Sequence, residues 1–151
     1  MTLGNRVRLG SLLELGPAAY CVAAQLVVAA GILELAFGKV AFPSIVNWIR
    51  SNAGGRWASR LPLFKGRMSL AEQVRFARAA ARFWRGPNAC LPQSVMVLWI
   101  LLSARHDADL VIGVSKDETN AFSAHAWVEA ATCSALQVGS GLGKFAEISR
   151  H

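Results

Sequence analysis

The sequence predicts an α+β fold in which helices come first and short strands follow, and three observations carry that reading. Ser69-Leu70-Ala71-Glu72 has the form of a capping box, in which a serine closes free N–H groups of a first turn and a glutamate three residues on reaches back. The run from Leu91 to about Arg105 is almost entirely apolar and helix-compatible, so the helix it forms is buried nearly all round. LVIGV, from Leu110 to Val114, and AHAWVE, from Ala124 to Glu129, then read as buried strands.

Taken in order, the chain opens with Arg6 and Arg8 before a leucine-rich turn, followed by PAAYCVAAQLVVAAGILELAFG from Pro17 to Gly38. A basic start ahead of an apolar stretch is also the form of a signal peptide. The apolar run Ala18 to Leu33 is 16 residues long, contains Gln25 and meets Glu34, whereas a bilayer core takes about 20 residues. The expectation is a helix packed on the core or lying on a membrane surface, with a true span as the alternative. Cleavage as a signal is not expected, because a free-thiol protein suits an oxidising compartment poorly. Phe42, Pro43, Ile45, Trp48 and Ile49 suggest a short amphipathic helix that NAGG at 52 to 55 breaks. Arg56, Arg60, Lys65 and Arg67 interleave with Trp57 and Phe64, a texture open to an anionic membrane, an acidic partner or plain solvent. Nucleic acid is not expected as a partner.

The capped helix runs to about Trp84 and ends at Gly86-Pro87. Leu70, Val74, Ala77 and Ala81 form its core stripe, and Arg75, Arg78, Arg82 and Arg85 fill another face, either solvated or turned to a substrate or partner. His106-Asp107-Ala108-Asp109 reads as a polar turn into the first strand. Lys116 to Asn120 is a charged loop tip placed to flank a cleft. A short strand-like run, Ala135 to Gly139, precedes GSGLG at 139 to 143, a flexible turn without the spacing of a phosphate-binding loop.

At 151 residues the chain is one domain's worth, divided into an apolar and basic helical region at 1–66 and a core at 67–151 within one compact unit. Hydrophobic residues are 54% of it and the mean hydropathy is +0.36, so some of its surface is expected to meet a membrane or a partner. Charge is uneven: residues 1 to 89 hold twelve Lys or Arg against three Glu, and residues 90 to 151 hold four against six Asp or Glu. The basic half is thus distinct from the half that carries the chemistry. Three widely spaced cysteines, Cys21, Cys90 and Cys133, give no disulfide framework, and a reducing cytoplasm is the simpler setting.

Cys90 opens the apolar helix, with Pro87 before it and Pro92 in its first turn, where a missing N–H costs nothing. The positive end of a helix is where a thiol pKa falls and a thiolate is held ready as a nucleophile. Strand alternation puts His125, Trp127 and Glu129 on one face and Ala126 and Val128 on the other. A histidine on a strand packed against the cysteine's helix is one established way to supply the base such a thiol needs. By themselves the two residues also read as an inert buried cysteine and a structural histidine. Cys133 with Cys90 and His125 lacks the short paired spacing of a zinc site, so no metal and no cofactor are expected.

CLPQS at 90 to 94, LVIGV at 110 to 114 and F-x-AHAWVE from Phe122 to Glu129 together resemble the leader peptidases of lasso peptide biosynthesis, in the split form that lacks its own precursor-recognition domain. The resemblance is close from about residue 69 to 139 and weaker outside it. It implies a papain-like or transglutaminase-like cysteine protease core, with the catalytic cysteine at the N-terminus of a buried helix packed on a small antiparallel sheet and helices ahead of it. It implies Cys90 as nucleophile and His125 as general base. It also implies a precursor peptide as substrate, a separate leader-recognition protein, and an ATP-dependent macrolactam synthetase as next enzyme. The family's third residue is usually an aspartate on the next strand, and the matching position here is Gln137. A side-chain amide fixes an imidazole tautomer but lends no full charge. Either Gln137 takes that role or another carboxylate does, and Glu129 is the alternative. The same departure leaves open a catalytically impaired scaffold of the same complex, and the same chemistry leaves open an acyl transferase.

Overall fold

The computed structural model describes residues 16–53, 55, 61–63, 65–116, 122–130 and 146–151. Among them are four α-helices and a three-stranded antiparallel sheet, the helices preceding the strands as expected.

Helix α1, Pro17–Phe37, starts with proline at its first position, where its ring fits and its lack of an N–H is harmless. It runs four residues past the apolar stretch read from the sequence. Val22, Leu26, Ala30 and Leu33, three or four residues apart, are buried in one stripe, while Tyr20, Val28, Ile32 and Leu35 are exposed. By length and composition α1 is able to cross a membrane. Its polar residues nevertheless serve the protein. Gln25 Oε1 accepts the Leu63 N–H at 2.8 Å, and Glu34 pairs with Arg85. Gly31 makes room for a neighbour: a Cβ there would stand 2.8 Å from the Trp84 ring, whose Nε1 donates to the Val27 carbonyl at 2.9 Å.

Helix α2, Phe42–Ala53, buries Ile45, Val46, Ile49 and Ala53 and leaves Trp48 exposed. The basic and aromatic residues Arg56, Trp57, Arg60 and Phe64 lie outside the described residues. A short 3-10 turn, Lys65–Arg67, leads to helix α3, Leu70–Arg85. The capping box is present in full: Ser69 N donates to Glu72 Oε2 at 2.8 Å, and Glu72 N donates to Ser69 Oγ at 3.3 Å. Ser69 Oγ also donates to Glu72 Oε2 at 2.7 Å, and this bond together with the one from the Ser69 N–H holds the Glu72 carboxyl below its ordinary pKa. Val74, Ala77, Ala80 and Ala81 fill the buried stripe, and their small side chains let α3 lie between α1 and α4.

Helix α4, Cys90–Ser103, is the centre of the core. Val95, Met96, Val97, Leu98, Ile100 and Leu101 are all under 4% exposed, in keeping with its all-round apolar sequence. It ends in a double hydrogen bond, His106 N to Leu101 O and Arg105 N to Leu102 O, with Arg105 at φ 62. This is the usual C-terminal turn of a helix, here built on arginine in place of glycine.

Strand β1, Ala108–Lys116, lies between β2, Phe122–Ala130, and β3, Ala146–Arg150. Leu110 pairs with Val128 and Val111 with Trp127. Leu110, Val128 and Ala108 join the helical core, so this face of the sheet packs on the helices. Val111 and Trp127, on the other face, are buried as well. The sequence reading did not anticipate β3, whose residues alternate poorly and are mostly exposed. It is held by pairing with β1, with a register shift at Ile112/Gly113, and by reciprocal bonds between Leu110 and His151. The strand-like run 135–139 lies outside the described residues.

Candidate active site

Cys90 is the first residue of α4, half-buried and free. Its N-cap residue, Ala89, makes no side-chain capping bond. The Cys90 N–H donates to the Asn88 carbonyl at 3.0 Å, and Gln93 N donates to the Ala89 carbonyl. Gln93 braces the turn: its Nε2 donates to the Pro87 carbonyl at 3.1 Å, and its Oε1 accepts from Arg82 Nε at 3.1 Å. The first turn of α4 is thereby tied both to the loop before it and to α3.

One turn beyond Cys90, Ser94 Oγ donates to the Ala126 carbonyl at 2.8 Å, and both groups are buried. Among the described residues β2 lies at the edge of the sheet, where its outward Ala126 carbonyl has no strand partner and Ser94 supplies one. Residues four apart share a helix face. Fastening Ser94 to Ala126 therefore sets Cys90 along the same strand edge. Ser94→Ala is expected to strand a buried carbonyl and to cost about 1–3 kcal/mol, read as a lower denaturant midpoint. An unchanged midpoint would show that this contact does not fasten α4 to the sheet.

His125 lies on β2, half-buried, opposite Gly113 of β1. Its ring stacks on Trp127 at 6.3 Å between centroids and 19° between planes. Gly113 is what permits this: a Cβ there would meet the Trp127 ring at 2.8 Å. Trp127 Nε1 donates to Glu129 Oε1 at 3.0 Å, so the expected alternation of 125, 127 and 129 on one face holds. That face is the one turned away from the helical core, not the one packed on α4. Cys90 and His125 both line one cavity of about 390 Å³, bordered by α3, by α4 from Cys90 to Leu101 and by β2 from Ser123 to Ala130.

Glu129, the alternative third residue, is committed elsewhere. Its other oxygen accepts from Arg150 Nη1 at 2.8 Å, and the Trp127 and Arg150 bonds hold its carboxyl below the ordinary carboxylate range. It stands four residues from His125, about 13 Å along the strand, with Trp127 between them. Gln137 and Cys133 lie outside the described residues.

Arg78 and Arg82, one turn apart on α3, complete the wall of the cavity. Burial pushes the Arg78 guanidinium pKa down, and the charge of Arg82 adds to the effect. The sequence reading left these arginines either solvated or turned to a substrate or partner, and the packing of α3 against α4 sets Arg78 and Arg82 in the wall of the cavity that Cys90 lines. That reading missed Ser94, for which the signal was available: a serine one turn after Cys90 in an otherwise apolar helix.

The family model of the transglutaminase-like superfamily matches residues 39–150, a span that includes Cys90, His125 and every element from α2 to β3. The chain belongs to the transglutaminase-like superfamily. That superfamily includes cysteine proteases and acyltransferases. No curated protein and no solved structure matches the chain. In this transglutaminase-like domain the match begins at Lys39, so α1 precedes it while sharing its hydrophobic core through Val22, Leu26, Ala30 and Leu33.

Proposed function

We propose that this chain is a cysteine endopeptidase that removes the leader from a ribosomally made lasso peptide precursor. The observation that carries the reading is the convergence of Cys90, at the start of a buried helix, and His125, on the neighbouring edge strand, on one cavity of a transglutaminase-like domain. A cavity of about 390 Å³, open along a strand edge, suits an extended peptide segment.

In the proposed reaction the Cys90 thiolate attacks the carbonyl carbon at the leader–core junction, forming a C–S bond. The imidazolium of His125 gives its proton to the leaving amine as the C–N bond breaks. Water then hydrolyses the thioester, yielding a leader carboxylate and restoring the thiol. The Cys90 N–H is the proposed donor to the oxyanion, which requires it to exchange Asn88 for the substrate oxygen. Gln137 is proposed to orient the imidazole through its amide oxygen. A separate recognition protein delivers the precursor, and an ATP-dependent macrolactam synthetase takes the freed core. The free thiols at Cys21 and Cys90 favour a cytoplasmic setting, with the exposed apolar side of α1 resting on a membrane surface.

The test is mass spectrometry of the cognate precursor incubated with the chain and its recognition partner, wild type beside Cys90→Ala, with and without an added primary amine. Two fragments from wild type alone, their masses summing to the precursor plus water, support the peptidase. An amine adduct in their place identifies an acyl transferase. An intact precursor with wild type, once the partners are shown to bind, identifies a scaffold.

A further inference from the structure

Among the described residues three arginines meet a carboxylate, while Arg67, Arg75, Arg78, Arg82 and Arg105 do not, and of these only Arg78 and Arg82 line the cavity of Cys90. Arg50 pairs with Asp109 at 2.8 Å, Arg85 with Glu34, and Arg150 with Glu129 at 2.8 Å and Glu147 at 2.9 Å. Arg78 and Arg82 have no ion pair among the described residues, although Arg78 is half-buried and Arg82 stands one turn away. Like charges one turn apart on a helix repel, and the partial burial of Arg78 removes some of the water that would screen it, whereas Arg82 is exposed. Both line the cavity that holds Cys90 and His125, and its described wall contains no aspartate or glutamate. Arg82 spends its Nε on Gln93, which holds the guanidinium in place and leaves its outer nitrogens available.

We infer that the site selects a substrate bearing a carboxylate close to the scissile bond, held by Arg78 and supported by Arg82. This inference rests on the thiol site proposed above and names its substrate class: a peptide with an acidic group beside the bond that Cys90 attacks. Guanidinium and carboxylate match as fork to fork, and a carboxylate would supply the countercharge that the cavity wall lacks. The acidic group is either a side chain or a free C-terminus, and short electrophilic probes tell the two apart.

Three probes serve: bromoacetyl-glutamate amide, bromoacetyl-glutamine amide and bromoacetyl-glutamine free acid. Each alkylates a thiolate with loss of bromide, forming a thioether and requiring no peptide-bond cleavage. Labelling at Cys90 is followed by peptide mass mapping, which separates it from Cys21 and Cys133, and rates are normalised to those of glutathione. The expected result is a preference of about tenfold to a hundredfold for an acidic probe over the neutral one, the range of a charge-assisted hydrogen bond. Faster labelling by the glutamate amide assigns a side-chain carboxylate, and faster labelling by the free acid assigns a C-terminal one. The preference collapses toward unity in Arg78→Gln and shrinks in Arg82→Gln. In wild type it also weakens as salt is raised to 0.5 M, a readout that does not depend on either variant folding.

A wild-type preference equal to that of glutathione, no labelling of Cys90 by any probe, or a preference that survives Arg78→Gln with Arg82→Gln would overturn the assignment. Failure of the precursor to be cleaved, with the labelling preference intact, defeats the peptidase reading and leaves the carboxylate site standing.

Discussion

Replacing His125 by alanine is expected to slow precursor cleavage by about a hundredfold to ten-thousandfold, the usual contribution of a general acid–base group. The same variant should melt close to wild type. His125 is half-buried at the edge of the sheet, and the Trp127 ring beside it keeps its own anchors, the Glu129 carboxylate and the bare backbone of Gly113. Loss of turnover with the fold retained is thus the signature of a chemical role. Steady-state kinetics beside a thermal melt decide it. If His125→Ala cleaves at the wild-type rate, the base lies elsewhere, and the geometry of the cavity has been misread. If it fails to fold, the histidine is a structural residue of the strand, and its place beside the cysteine is incidental.

Leu98→Ala should produce a large loss of stability. Leu98 is fully buried at the middle of α4, in the cluster that α1, α2, α3 and strands β1 and β2 share. Interiors are packed as densely as organic crystals, so the space left by three deleted carbons does not refill completely. Exchanges of this kind cost about 2–5 kcal/mol, a large share of the 5–15 kcal/mol that holds a typical domain together. For a chain of this size that is a fall in melting temperature of about 5–15 °C. A change of less than two degrees would mean that α4 is not the packed centre of the protein. Because α4 carries Cys90 at one end and the turn into β1 at the other, activity should be lost in parallel with folding.

Much of this was legible in the chain before any coordinates. The capping box at Ser69 and Glu72 marks the start of α3 to the residue, because two side-chain bonds at fixed spacing define it locally. The apolar run from Leu91 marks α4 in the same way, since a helix without a polar face has nowhere to go but the interior. Alternation along AHAWVE puts His125, Trp127 and Glu129 on one face, as a property of the extended backbone. These features depend on residues within a turn or two of one another, and the sequence states them outright.

What the sequence did not contain is where those faces point. Which side of β2 meets the helices follows from the pairing of Leu110 with Val128 inside the core, a contact across 18 positions of chain. That pairing turns His125 away from the face packed on α4, while His125 still lines the cavity that Cys90 lines. The exposed strand β3 has no pattern to announce it, because its place is held by hydrogen bonds to β1 more than by burial. Arg78 and Arg82 read as members of a basic helical face that was either solvated or turned to a substrate or partner, and the packing of α3 on α4 decides that they line the cavity of Cys90. Local rules act through neighbouring residues and are written in their order. The site is assembled from three elements brought together by burial of a common core, and the chain order alone carries no measure of that distance.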